Sequence, residues 1–252
     1  MEALYSEITD YLQEAGRRLL SLQGNIKDIG ISKANLTEED IKIERALTDM
    51  VLGAHPDHGI YAEEEHDRFV NADNVWVFDP ISATRALIEN RPHYASVVSH
   101  IRDGKTQFAA VYDPSADELF TAQAGKGAFM NGTPIHVSAT AETVLLNTAT
   151  SRYDTPEAVA LRAATQDFNP VRNEASFAVN YCWVADGRFD GVVSVAKDAF
   201  PEFAGALILD EAGGKLRNID GGEVHPDDRI FIGGNQAMFQ VLYDRSTAAL
   251  AK

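Results

Sequence analysis

Between residues 75 and 137 the chain breaks into short apolar runs separated by turn residues, and no other feature of the sequence constrains its fold as tightly. Val75-Trp76-Val77-Phe78, Ala95 to Ile101, Gln107 to Tyr112 and Glu118 to Ala124 have the length and the β-branched and aromatic content of strands. Arg102-Asp103-Gly104-Lys105 supplies a hairpin turn between two of them, and Asp113-Pro114-Ser115 makes the next turn. Gly125-Lys126-Gly127 and Asn131-Gly132 punctuate the run up to Ile135-His136-Val137. The segment therefore predicts a β-meander.

The flanking segments read differently. Leu4, Ile8, Tyr11, Ala15 and Leu19 recur at helical spacing, which predicts an amphipathic helix over residues 3–22. A second helix is expected from Thr37, whose hydroxyl can cap the turn that carries Glu38-Glu39-Asp40. Its apolar face uses Ile41 or Ile43, then Leu47, Met50 and Val51, and it stops near Gly53 ahead of Pro56-Asp57-His58-Gly59. Beyond Val144 strand and helix alternate. Helices are expected at Phe177 to Ala185, at Phe203 to Glu211 with Gly213-Gly214 as its glycine cap, and at Ala237 to Ala251. Strands are expected at Gly191 to Val195 and Ile230 to Gly233. A boundary near 140 divides the chain into an N-terminal α+β half (1–140) and a C-terminal α/β half (141–252) that share one interior.

Of 252 residues, 22 are Lys or Arg and 38 are Asp or Glu, a formal charge of −16 that argues against non-specific nucleic-acid or anionic-membrane binding. Hydrophobic residues at 45% supply a globular core rather than a disordered chain. A single cysteine, Cys182, excludes an internal disulfide and any cysteine-rich metal cluster; its apolar neighbours predict a buried thiol. No stretch approaches the roughly 18 apolar residues of a membrane span, and the start lacks the layout of a signal peptide, so a cytoplasmic location is expected.

One region gathers polar residues as a reaction centre would. Glu63-Glu64-Glu65 follows the second helix, and Asp79-Pro80-Ile81-Ser82-Ala83-Thr84 follows an apolar strand. An Asp at a strand's end can hold a hard cation, and a helix starting near Ser82 and Thr84 would present free N–H groups to an anion. Together these suggest Mg²⁺ and phosphate chemistry. The same residues also read as a solvated acidic turn and a plain strand-to-helix junction.

The run Trp76-Val77-Phe78-Asp79-Pro80-Ile81-Ser82-Ala83-Thr84 resembles the W-x-x-D-P-I-D-G-T signature of the inositol monophosphatase family. Further motifs of that family follow in order along nearly the whole chain: Leu36-Thr37-Glu38-Glu39-Asp40, Ala62-Glu63-Glu64, Met130-Asn131-Gly132, the stretch Val184 to Gly191, and Glu211-Ala212-Gly213-Gly214. The resemblance implies a layered α-β-α-β-α sandwich, usually dimeric, that hydrolyses phosphate monoesters with Mg²⁺ and is often inhibited by lithium. It implies further that Glu63, Asp79 and the carbonyl of Ile81 hold the first Mg²⁺, and that Thr84, oriented by Asp40, positions the attacking water. Backbone N–H groups at Ala83 and Thr84, beside Ser82, would bind phosphate.

Departures from the family pattern are as informative. Ser82 stands where the family has a second Asp, and Ala83 where it has Gly. The late W-D-x-A-A-G motif aligns with Phe200-Pro201-Glu202-Phe203-Ala204-Gly205, so Pro201 replaces a metal-binding Asp; Ser194 replaces an acidic residue that often contacts substrate hydroxyls. Of three second-metal side chains Asp79 alone remains. Asp198 is a possible substitute, whereas Glu202 is expected on a different helix face from residue 201. Two functions compete: a phosphomonoesterase with a partly degraded metal site, and a pseudoenzyme that binds a ligand or protein without turnover. Substrates of the inositol phosphate, nucleotide 3′-phosphate or histidinol phosphate class are implied. Arg91, His93, Arg172, Arg188 and Lys197 could contact phosphate or be ordinary surface; the seven histidines are scattered, which argues against zinc, and Gly125-Lys126-Gly127 is no P-loop.

Overall fold

The computed structural model describes residues 1–30, 35–65, 72–148, 155–168, 171–172 and 176–251. Helix α1 (Glu2–Leu22) turns Leu4, Tyr5, Ile8, Leu12, Ala15 and Leu19 inward. Leu12 rather than Tyr11 completes this stripe, because a 3.6-residue turn starting from Ile8 points position 12 at the core. Helix α2 (Glu38–Ala54) begins where Thr37 predicts: its hydroxyl accepts from the N–H groups of Glu39 and Asp40, and the Asp40 carboxylate accepts in return from Thr37 N–H. Ile43, Leu47 and Val51 form its buried face, so Ile43 and not Ile41 is the core residue.

Next come β1 (Gly59–Ala62), β2 (Asn74–Ser82), the short α3 (Thr84–Ile88), β3 (Ala95–Arg102), β4 (Lys105–Asp113), β5 (Glu118–Gln123), β6 (Gly127–Met130) and β7 (Thr133–Pro134). They form one sheet in sequence order, antiparallel throughout except that β1 runs parallel to β2. The meander read from the turns is therefore present. The strand β1 was not foreseen, since four residues are too few to show a period.

The second sheet uses β8 (Val144–Thr148), β9 (Val171–Arg172), β10 (Gly191–Val195), β11 (Lys215–Asn218) and β12 (Ile230–Gly234), in the order β11-β12-β10-β8-β9. Helices α4 (Pro156–Thr165), α5 (Phe177–Ala185), α6 (Phe200–Glu211) and α7 (Gln236–Leu250) accompany it. Helix α6 starts three residues earlier than expected, with Pro201 in its first turn, where the missing N–H has no helical partner to lose. It ends as expected: Gly213 takes φ 90°, and the N–H groups of Gly213 and Gly214 bond the carbonyls of Asp210 and Leu209.

Five layers result. Helices α1 and α2 cover one face of the first sheet through Leu12, Ile43, Trp76, Phe78 and Phe108. Helices α5 and α6 fill the space between the sheets, with Val97, Val111 and Phe120 on one side and Val192 and Phe231 on the other. Helices α4 and α7 close the outer face of the second sheet over Val144, Val193 and Ile232. Cys182 is fully buried in the middle layer, as its neighbours predict. Among the described residues no helix is long and apolar enough to cross a membrane.

The crossing of α5 and α6 depends on Gly205, where an added Cβ would lie 2.3 Å from Cδ2 of Tyr181. Gly205→Ala should therefore lower stability by about 1–3 kcal/mol, although alanine is the better helix former by about 1 kcal/mol. Urea unfolding checks this; an unchanged or raised midpoint would mean that Tyr181 yields and the packing account is wrong.

Candidate active site

The parallel pairing of β1 with β2 matches Ala62 to Phe78, so the next residues, Glu63 and Asp79, leave adjacent strands side by side. Their carboxyl groups come close enough for a hydrogen bond between them. The turn carrying Glu63 is fastened from below by α2. Buried Glu44 accepts from the N–H groups of Glu64 (2.8 Å) and Glu65 (2.7 Å), and Arg45 pairs with Glu65 at 2.6 Å.

Strand β2 continues through Asp79, Pro80 and Ile81 to Ser82 instead of turning after Phe78. An irregularity in its register with β3, between Asp79 and Ser82, accommodates Pro80, and the Ser96 hydroxyl donates to the Pro80 carbonyl at 2.7 Å. Ala83 then adopts φ 65°, ψ 45°, a left-handed conformation that suits glycine. The helix expected after it is only the five residues of α3, with no side-chain cap at its start. Thr84 Oγ1 donates to the Ile81 carbonyl at 2.6 Å and lies 3.3 Å from Asp40 Oδ1. Asp40, Glu63, Asp79, Ile81, Ser82, Ala83 and Thr84, far apart in sequence, thus share one end of the first sheet.

The second half contributes the head of α6. Phe200 stacks on Tyr61 of β1, ring centroids 4.5 Å apart and 23° from parallel. Asp198, just before this helix, lies near enough to act on the charge of Asp79. Pro201 and Glu202 are both buried. The expectation that Glu202 faces elsewhere omitted a partner. Its Oε1 accepts from the Tyr181 hydroxyl at 2.7 Å, and that hydroxyl also meets buried Ser194. Tyr181 looked like plain core in a helix apolar on every side, so no periodicity marked it.

Burial dominates the electrostatics. It pushes the Asp79 carboxyl well above the usual range, with Glu63 and then Asp198 adding to the effect, and leaves Asp79 Oδ1 with no hydrogen-bond partner. Burial also lifts Asp40 to about 7, against its bonds from Thr37, and Glu202 to about 8, against its bond from Tyr181. Among the described residues no three His, Cys, Asp or Glu side chains form a ready metal cage. Mg²⁺ needs less: one or two carboxylates, with waters and substrate phosphate completing the shell. A buried Asp79 oxygen without a partner, in a carboxyl close to that of Glu63, offers oxygen donors of that kind.

Other residues singled out by sequence serve elsewhere. Arg91 pairs with Glu89, Arg188 with Glu118 and Asp186, and His93 Nδ1 with Asp113 at 2.8 Å. Lys197 is exposed, and the side chain of Arg172 lies outside the described residues. The Gly125-Lys126-Gly127 turn donates the N–H groups of Gly125 and Gly127 to the Glu211 carboxylate, each at 2.7 Å, which ties it to α6. Three of the histidines are not scattered. His55, His58 and His100 stack beside Trp76, and His100 is wedged between the Tyr5 hydroxyl and Asn74.

Acidic side chains gathered beside a D-P-I-x-x-T turn on a five-layered α/β fold are the pattern of a phosphatase family. The model of the inositol monophosphatase family matches residues 5–250, and the chain belongs to that family. It is 28% identical to an inositol-1-monophosphatase of Rhizobium meliloti over 95% of this chain and 94% of that protein. It is 31% identical to the Nus factor SuhB of Pasteurella multocida over 74% of this chain and 73% of that one. The solved structure of a Thermotoga maritima IMPase superimposes with a TM-score of 0.86 at 25% identity, covering 100% of this chain and 99% of the other.

Two expectations follow from the local geometry. Ala83→Gly should stabilise the fold by about 1 kcal/mol by relieving the left-handed strain, read as a rise in urea midpoint; a loss would refute the strain. Asp40 gains a proton on folding between its ordinary range and about 7, so the metal-free protein should lose stability as pH rises from about 4 to 7. Asp40→Asn removes that slope, and its advantage over the parent in EDTA should grow with pH and level off above 7. A pH-independent difference would contradict it.

Proposed function

We propose that this chain hydrolyses a phosphate monoester of a small polar metabolite, of the inositol phosphate, nucleotide 3′-phosphate or histidinol phosphate class, with Mg²⁺ bound by Glu63, Asp79 and the Ile81 carbonyl. One observation carries the reading: the unpartnered Asp79 oxygen is buried beside Glu63, next to the Ile81–Thr84–Asp40 hydrogen-bonded chain. Bound Mg²⁺ would supply an activated water and neutralise charge growing on the phosphate and the leaving oxygen. The protein's own groups do the remaining work. Thr84 Oγ1, held by the Ile81 carbonyl and oriented by Asp40, positions the attacking water. The N–H groups of Ala83 and Thr84 hold phosphate oxygens, with the Ser82 hydroxyl beside them. Family likeness supports a homodimer working in the cytoplasm, with residues 1–140 carrying the first cation and the phosphate.

A second reading, a pseudoenzyme that binds a ligand or a protein partner, is favoured by Ser82 and Pro201. These provide no carboxylate where the family resemblance implies two, and several relatives bear the name of a Nus factor. Phosphate release with Mg²⁺ from a panel of inositol phosphates, 3′-phosphonucleotides, histidinol phosphate and sugar phosphates separates the two. We expect turnover of at least one ester, abolished by Asp79→Asn and lowered about 10²-fold or more by Thr84→Val, the scale of losing one positioned polar group. No release above the Asp79→Asn background at millimolar Mg²⁺ would select the pseudoenzyme.

A further inference from the structure

We propose that Asp198 takes over the role of the carboxylate missing at position 201, so that this chain builds a second cation site from Asp79 and Asp198 in front of the buried Glu202–Tyr181 pair. The inference rests on the first-cation reading above and extends it.

Pro201 has no donor and Ser82 only a neutral hydroxyl, so the family's own arrangement is not available here. Asp198 stands three residues upstream, half-buried, in the bend that leads into α6. The Tyr61–Phe200 stack holds that bend against β1, two residues ahead of Glu63. The charge of Asp198 acts on both Asp79 and Glu202, so it lies near both. Each of those two residues keeps a buried carboxyl oxygen with no hydrogen-bond partner, Asp79 Oδ1 and Glu202 Oε2. Leaving such oxygens dry and unpaired is unfavourable unless a cation or its water shell meets them. Arg229 also acts on Glu202, and Glu63 as well as Asp198 acts on Asp79.

Two carboxylates are enough for a cation that keeps its waters and shares a phosphate oxygen, so a three-acid cage is not needed. Tyr181 fixes Glu202 Oε1 and thereby leaves Oε2 to hydrogen-bond a water on that cation. Asp198 also has a purely structural alternative: an acid just ahead of α6 interacts favourably with its N-terminus. That role would be felt in stability and not in cation stoichiometry.

Mn²⁺ binding to the full-length protein, counted by electron paramagnetic resonance and by calorimetry, tests the proposal without reference to activity. The parent should hold two Mn²⁺ per chain and Asp198→Asn one, with the second site weakened at least tenfold. Asp198→Lys should behave likewise, Asp79→Asn should lose both, and adding Pro201→Asp to Asp198→Asn should restore the second. Circular dichroism verifies folding of each variant. A parent that binds one Mn²⁺, or an Asp198→Asn protein that still binds two with unaltered affinity, would overturn the proposal while leaving the first site standing. A parent that binds none would remove the first-cation reading together with it.

Discussion

Four residues of parallel strand determine where the chemistry can be. Without the pairing of Gly59–Ala62 against Val75–Phe78, Glu63 would be an acid on a surface turn and Asp79 an acid inside a sheet. With it, the half-buried Glu63 carboxyl is brought against the buried Asp79 carboxyl and adds to the rise that burial imposes on Asp79. So short a strand cannot hold such a pair unaided. Glu44 and Arg45 of α2 take hold of the following turn, Glu44 through two backbone N–H groups and Arg45 through Glu65. The same helix presents Asp40 from its first turn, so one capped helix both fastens the acidic turn and supplies the site's third carboxyl.

Two buried aspartates show how differently one residue type can be used. Asp190 lies between the sheets and accepts five hydrogen bonds from Ser138, Thr140, Glu142 and Thr143. Burial alone would raise its carboxyl, but these donors hold it well below the usual range. It is a satisfied anion that pins the connection between the first sheet and the second. Asp79 is buried just as deeply and receives mostly repulsion. The same fold that satisfies Asp190 so fully leaves Asp79 with one buried oxygen that has no partner, and that oxygen suits a cation.

Strain and loss are concentrated in the same place. Ala83 sits in a left-handed conformation, and α3 lasts barely more than a turn. At the head of α6, Pro201 is tolerated because it falls in the first turn, where its ring and missing N–H do no harm. A proline is therefore compatible with the helix there, but it offers no metal ligand. Tyr181 and Glu202 keep polar groups in a layer that is largely apolar.

Much of this could be read in the residues themselves. The turn residues fixed the meander, Thr37 and Gly213 marked helix ends, and the D-P-I-x-x-T run marked the candidate site, because turns, caps and local motifs depend on neighbours within a few positions. Several features could not be read that way: the strand β1, the passage of β2 through Pro80, the stack of three histidines, and the inward turn of Glu202 toward Tyr181. Each depends on a partner far along the chain, Phe78, Ser96, Trp76 or a helix crossing that a single glycine permits. The sequence by itself determined which carboxylates exist and where the chain bends. Only the tertiary structure decided which of them meet, which are left without water, and hence which carry unbalanced charge, since burial and proximity are properties of the packed layers and not of the order of residues.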